Sequence, residues 1–346
     1  MTYRTFILAI VGLVFFSTIS TAEDRYTPIN TALMNEVFLP NFKGLADAAD
    51  EQHHAWEQTC AAPALDGEKV LRKAFHKTMD AWSLVFHWNI GPITQHLRRD
   101  SLYHWPERRN SIGKSLANLL ANEQPEKLST KRFSKASVAV QGLPALERLL
   151  FEDVDVTKNA WACKVGMAIA LNVQMITKVV ERELREEIEP LLNNGTPHPD
   201  FFDQPSDFIN QVFNELVTGY RIIKDQKILM ISGIGGKSSK PNRIENRRSK
   251  RFEKNLRLNL HGLLLAQKVI ARFLTDAHQN KLSKGFEDAH LALKELGDFE
   301  TGIKNKTIQP QIKVFLATLD AVRNAMAKEY VDQLDLIVGF NSLDGD

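Results

Sequence analysis

Only two cysteines, Cys60 and Cys163, occur in 346 residues. A cysteine-rich metal module and a disulfide-dense small scaffold are therefore both excluded. Charge of one sign is also lacking: 44 Lys and Arg face 42 Asp and Glu, a formal balance of +2. That balance gives no basis for nucleic-acid binding or for attraction to an anionic membrane surface. The sequence holds no His-Glu-x-x-His, serine-nucleophile elbow, phosphate loop or dinucleotide fingerprint, and the glycines around Gly235-Gly236 follow a helical pattern rather than a strand. No short-period repeat is visible, which argues against a solenoid. Beyond the first residues, no apolar run reads as long enough to cross a bilayer.

What is present begins with an export signal. Arg4 gives the positive start, residues 6–16 a short apolar core, and Ser20-Thr21-Ala22 the small-residue pattern before a cut placed after Ala22. An uncleaved N-terminal anchor is the alternative. No cysteine stands near the cut, so the mature chain is expected to be periplasmic and not a lipoprotein. In an oxidising compartment Cys60 and Cys163 are expected to pair, the other reading being two buried free thiols. Closing so long a loop would stabilise by about 4 to 5 kcal/mol in the chain-entropy model.

Hydrophobic periodicity is helical nearly throughout and predicts an all-α fold. Helices are expected over residues 29–60, where Pro40 should kink or split the run, and over 70–86, ended by Gly91-Pro92. Residues 98–109 read as irregular. Further helices are expected over 111–122, 130–150, 156–192, 206–230, 247–274, 281–296 and 309–336. The buried side of the 156–192 helix is marked by Trp161, Val165, Ala168, Met175, Val179 and Leu184, and that of 70–86 by Val70, Ala74, Met79, Trp82 and Phe86. Asn193-Asn194-Gly195 divides the mature chain into two helical-bundle halves, 23–195 and 196–346, and the stretch 233–242 reads as an exposed connector. A ligand cleft between the halves is the natural expectation.

One segment stands out. Within the run taken as a helix over 130–150, Gly142 and Pro144 interrupt the hydrogen-bond ladder, and Glu147 follows among apolar residues. A carboxylate there needs a partner. Either the kink places Glu147 in a cleft, or Glu147 pairs with a nearby arginine or caps a helix start.

Gly142-Leu143-Pro144-Ala145-Leu146-Glu147 resembles the Gly-x-His-x-x-Glu motif of the imelysin-like proteins. Three further segments are similar to the same family in the expected order: the aromatic run from Trp82 to Gly91-Pro92, Trp105-Pro106-Glu107-Arg108-Arg109-Asn110, and the ending from Gly339 to Asp346. The resemblance implies an exported helical protein of two bundle-like halves with the motif near their junction. It also implies either a metallopeptidase activity or binding connected with iron or haem uptake, with envelope uptake proteins as partners. Gly142 and Glu147 match the motif, but Pro144 stands where the family has histidine. Proline offers no donor, so the ancestral His–Glu metal grip is lost and no catalytic residue is assigned. Relatives place an Arg-Ser pair near the position of Arg248 and Ser249, which adds these two to Gly142, Pro144 and Glu147 as the expected ligand-binding residues. A small ligand or an iron species is the expected occupant; an imelysin-type metallopeptidase and a structural envelope protein are the alternatives.

Other constellations invite a metal less directly. His53 and His54 lie at helical spacing from Glu57, and His76 lies one turn from Asp80; both sets also read as solvated helix faces. His87 and His96 flank Gly91-Pro92 and would need the turn to bring them together. The basic run Arg247-Arg248-Ser249-Lys250-Arg251 is expected to open a helix, either as a solvated face or as an anion clamp. Trp82, Trp88 and Trp105 are expected in core and junction packing.

Overall fold

Two prolines explain the form of the long helices in the N-terminal half. In a continuous α-helix the ring of Pro40 would clash with the carbonyl one turn back. The chain widens instead into a π-helical turn, Met34–Phe38, between α1 (Tyr26–Leu33) and α2 (Leu39–Ala61), so Pro40 falls in the first turn of α2. The same solution recurs around Pro190: α8 (Ala160–Glu183) passes through the π-turn Leu184–Ile188 into α9 (Glu189–Asn193). Between these runs lie α3 (Gly67–Val85), α4 (Arg98–Leu102), α5 (Ser111–Ala121), α6 (Thr130–Phe133) and α7 (Leu143–Phe151). The C-terminal half comprises α10 (Pro205–Arg221), widened by a π-helical stretch at Ile222–Leu229 that leads into α11 (Met230–Ser232). It continues with α12 (Phe252–Ala271), α13 (Asp276–Lys294), α14 (Phe299–Asn305) and α15 (Gln309–Leu334).

This computed structural model describes residues 24–152, 155–235 and 238–337. The expected export signal and the ending from Gly339 lie outside them. The protein is all-α; among the described residues there is no strand, and a lone bridge joins His198 to Phe202. In the first bundle half α2 packs against both α3 and α8; in the second, α13 packs on α15 and α15 on α10. Helix α12 joins them, packing on α3 on one side and on α10 and α13 on the other. Trp56, Trp88, Phe38, Phe75, Phe208, Phe213 and Tyr330 are fully buried anchors of this core. Cys60 near the end of α2 and Cys163 near the start of α8 form a disulfide, with Cα atoms 5.7 Å apart.

Several expectations require correction. Gly142 and Pro144 do not kink a helix: Gly142 is the extended residue preceding α7, and Pro144 sits in its first turn, where a missing N–H costs nothing. Residues 98–109 contain the short helix α4. The basic run does not open a helix but lies in the tight turns before α12. Helix α14 was not anticipated. Val70 and Met175 are exposed rather than on buried faces. The run Ala160–Asn193 is, by length and composition, apolar enough to cross a membrane, contrary to the expectation; here its inward side is the core face against α2.

Candidate functional site

Glu147 projects from α7 into the junction of the two halves and is buried. Its Oε1 accepts the backbone N–H of Ser249 at 3.0 Å and the Ser249 hydroxyl at 2.7 Å. The helix that carries it is held close to its neighbour by Gly142: a Cβ there would stand 2.2 Å from the Leu102 carbonyl oxygen and 2.3 Å from that of Ser101. Only glycine permits this backbone contact.

Ser249 belongs to a turn that closes on itself. Arg251 N donates to the Asn246 carbonyl at 3.1 Å, and Asn246 and Lys250 take positive φ values of 47° and 54°. A buried polar network fixes this turn. Lys227 Nζ donates to both Glu245 oxygens at 2.8 and 2.7 Å and to Asn259 Oδ1 at 2.7 Å. The Tyr103 hydroxyl reaches Glu245 at 2.9 Å and Asn246 at 2.8 Å, and Asn255 reaches Asn246 at 2.8 Å. Burial lowers the Lys227 pKa, with Glu245 opposing; burial raises that of Tyr103 well above its usual value, with the Glu245 charge adding to the rise. A buried charge pair satisfied this fully specifies one arrangement of groups, and removing either partner would be costly. At the far end of the turn Arg251 bonds to Asp80 and, at 3.0 Å, to His76 Nδ1. His76 and Asp80 are thus counterparts of an arginine rather than a solvated face, and the His76 pKa is lowered by burial first and by Arg251 second.

In front of Glu147 opens a cleft of about 630 Å³. Pro144 and Glu147 from the first half, and Asn246 and Arg247 from the second, contribute to its walls. Arg108, Arg109, Arg243 and Arg247 also line it, and none of the four makes an ion pair among the described residues. The buried Nε of Arg247 has no hydrogen-bond partner. Arg148 and Arg248, by contrast, are neutralised: Arg148 pairs with Glu107, and Arg248 with Glu152. Arg109 and Asn110 both take φ of 56°, so the rim is held in backbone that L-residues adopt reluctantly.

Of the residues expected from sequence, Pro144, Glu147 and Arg248 line this cleft, Ser249 secures Glu147 from behind, and Gly142 sets the spacing of α7. Sequence reasoning missed Tyr103, Lys227, Glu245, Asn246, Arg243 and the neighbours of Trp105. Trp105-Pro106-Glu107-Arg108-Arg109 was noticed only as a likeness, although adjacent arginines after an aromatic-proline pair were a usable signal.

The donor set around Glu147 does not suit a catalytic zinc. Its neighbours are the Ser249 amide and hydroxyl, Pro144 has no donor, and no histidine or cysteine lines the cleft among the described residues. Among the described residues, the group of His, Glu and similar donors that could meet at one ion is His53, His54 and Glu57 on α2. There His54 Nδ1 lies 2.8 Å from Glu57, while His53 is buried with its Nδ1 3.8 Å from the same carboxylate and without a hydrogen bond, so the face is not simply solvated. His87 and His96 do not converge: His87 is fully buried in a neighbouring cavity, and His96 is exposed. Trp82 and Trp88 are core residues; half-buried Trp105 stacks under the Lys227 ammonium at 5.4 Å.

A family model described as imelysin, of the peptidase M75 group, matches residues 38–327. Among solved structures, an imelysin-like protein from Psychrobacter arcticum 273-4 superposes with a TM-score of 0.75 at 19% identity, covering 91% of this chain and 97% of that one. A proposed iron-regulated protein A precursor from Parabacteroides distasonis ATCC 8503 superposes with a TM-score of 0.74 at 12% identity, covering 92% and 97%. These likenesses establish a shared fold. No curated protein matches the chain.

Proposed function

The chain belongs to the imelysin family, and we propose that it is an exported, periplasmic binding protein whose junction cleft takes an anionic ligand of iron or haem uptake. One observation carries this reading: four arginines without carboxylate partners among the described residues converge on a 630 Å³ cleft beside the secured Glu147. Guanidinium groups suit carboxylate and phosphate oxygens, and arginines left unpaired in a concave site favour a ligand that brings negative charge. Ferric carboxylate chelates and haem, through its propionates, both offer such oxygens. The disulfide and the iron-regulated precursor among the structural neighbours support an exported location and a connection with iron. Glu147 acts here as a brace for the Ser249 turn, which presents Arg247 and Arg248 to the cleft.

The test is a titration of the mature chain, purified from the periplasm, with ferric citrate and with haemin, and with citrate and iron-free porphyrin as controls. Saturable binding that weakens with salt, and falls about tenfold or more in R243A/R247A, is expected. Absence of binding to either iron species at tens of micromolar would overturn the reading. Stoichiometric zinc that survives dialysis, together with chelator-sensitive proteolysis, would replace it with the peptidase alternative.

A further inference from the structure

A second cavity, of about 400 Å³, shares the Trp105-Pro106 wall with the arginine cleft but is built from different groups. His87, two residues beyond the end of α3, lines it; its ring is fully buried, and neither nitrogen has a hydrogen-bond partner. Close packing on α10 holds the ring there. Gly219 lies under it, and a Cβ on Gly219 would come within 3.1 Å of the His87 Cβ. Thr218 of α10 also lines the cavity, and its buried hydroxyl is likewise unpartnered.

Two such orphans in one polar cavity are expensive unless something meets them. Arg99 of α4 lines the same cavity, and its terminal nitrogens donate to the carbonyls of Trp88 at 3.0 Å and of Phe86. Those bonds fix the guanidinium, yet it makes no ion pair among the described residues. Half-buried Glu215 of α10 completes the wall. Leu97, which also lines the cavity, and the preceding His96 are held at φ of 57° and 53°, a strain of the sort found around ligand sites.

We propose that this cavity is a second ligand site that takes a small carboxylate, paired with the Arg99 guanidinium and hydrogen-bonded by His87 and Thr218. Charge balance selects the class. His87 is neutral, because burial and then Arg99 hold its pKa well below the usual value. Burial pushes Glu215 up to about 7, with Arg99 opposing, so its protonated form is accessible near neutrality. One negative charge then supplies the ion-pair contact that Arg99 makes with neither Asp100 nor Glu215, while the Glu215 proton is shared with the incoming carboxylate. A doubly charged phosphate would bring a second negative charge next to Glu215 and Asp100 with no second cation to meet it. Arg99, Asp100 and His87 are the titratable groups that share the cavity with Glu215. Binding should therefore strengthen as pH falls through 7.

The site is independent of the arginine cleft, and the test keeps them apart. Acetate, lactate and inorganic phosphate are titrated into the mature chain by calorimetry, and the His87 imidazole resonance, assigned with H87Q, is followed by NMR. Acetate or lactate should shift that resonance saturably and bind more tightly at pH ~6 than at pH ~8. R99Q should lose binding. T218V should keep or raise the melting temperature, because it removes an orphan hydroxyl, yet bind about five- to tenfold more weakly. E215Q should bind with a flat pH profile, and R243A/R247A should leave this binding unchanged. Should R99Q not fold, T218V and E215Q still decide. The proposal is overturned if no carboxylate perturbs His87 at tens of millimolar, if phosphate binds in preference, or if T218V and E215Q change neither affinity nor pH profile.

Discussion

Ser249 gives both its backbone N–H and its hydroxyl to one oxygen of Glu147, a residue 102 positions earlier in the chain. This double contact ties the start-of-helix motif of the first half to the turn of the second that carries Arg247 and Arg248. Glu147 is thus a fastener between halves, three residues after Pro144.

Removing the hydroxyl alone separates the two bonds. S249A keeps the amide contact and should lose about 1 to 3 kcal/mol of unfolding free energy, the range for a buried hydrogen bond to a charged acceptor. E147A leaves the Ser249 amide buried and unpaired, and should cost more than S249A. Urea unfolding of the two variants checks the order. Equal stabilities of wild type, S249A and E147A would show that the contact fastens nothing.

Much of the fold was legible because its signals are local. The 3.6-residue apolar period marked most helices, and Pro40 marked a real break. The disulfide followed from two cysteines in a chain expected to be exported. Glu147 stood out as a carboxylate among apolar residues, and Ser249 entered through family resemblance. Gly142-Leu143-Pro144 was misjudged because proline is compatible with both a kink and a first helical turn; what decides is where the helix begins, and the extended backbone of Gly142, two residues before the proline, puts Pro144 in the first turn. The Lys227–Glu245–Asn259 cluster was illegible for another reason. Lys227 lies on a helix where lysine normally faces water, and its partners lie 18 and 32 residues away on a turn and on α12. The cavity of His87, Arg99, Thr218 and Glu215 likewise draws on three segments with no local pattern in common.

Gly142 admits a direct test of backbone contact. The carbonyls of Ser101 and Leu102 belong to α4 and cannot swing aside as a side chain would. G142A should therefore destabilise by about 2 kcal/mol or more and push α7, with Glu147, away from Ser249. The measurable result is a lower denaturation midpoint, together with weaker binding in the arginine cleft. A fully stable G142A would contradict the geometry.

The disulfide spans 103 residues, from α2 to α8. Those helices already pack along their length, so C60S/C163S should retain the helical circular dichroism signal while losing stability. The chain-entropy limit for such a loop is about 4 to 5 kcal/mol, and residual contact between the two helices in the unfolded chain would reduce it. Chemical denaturation of the oxidised protein, the reduced protein and the double variant provides the comparison. Reduction and substitution should lower stability alike.

Glu215 and His87 should tilt the pH dependence of stability in opposite directions. Glu215 titrates at about 7 in the folded chain against a usual 4.5, so between these values the folded state holds more protons than the unfolded state. Its contribution therefore falls as pH rises from 4.5 to 7 and is constant above. His87 is neutral when folded, so below its usual 6.5 the unfolded state holds more protons, and stability is lost as pH falls through that value. The Glu215 shift alone would correspond to about 3 kcal/mol, and solvent access to the half-buried carboxyl reduces this to on the order of 1 to 2 kcal/mol. E215Q should accordingly lose less stability than wild type between pH ~5 and pH ~8 by that amount, whereas H87Q should lose less on the acid side. Taking differences from wild type cancels the carboxylates and histidines common to all three proteins. Parallel curves for wild type and E215Q would place the Glu215 pKa at its ordinary value and remove the proton linkage from the second cavity.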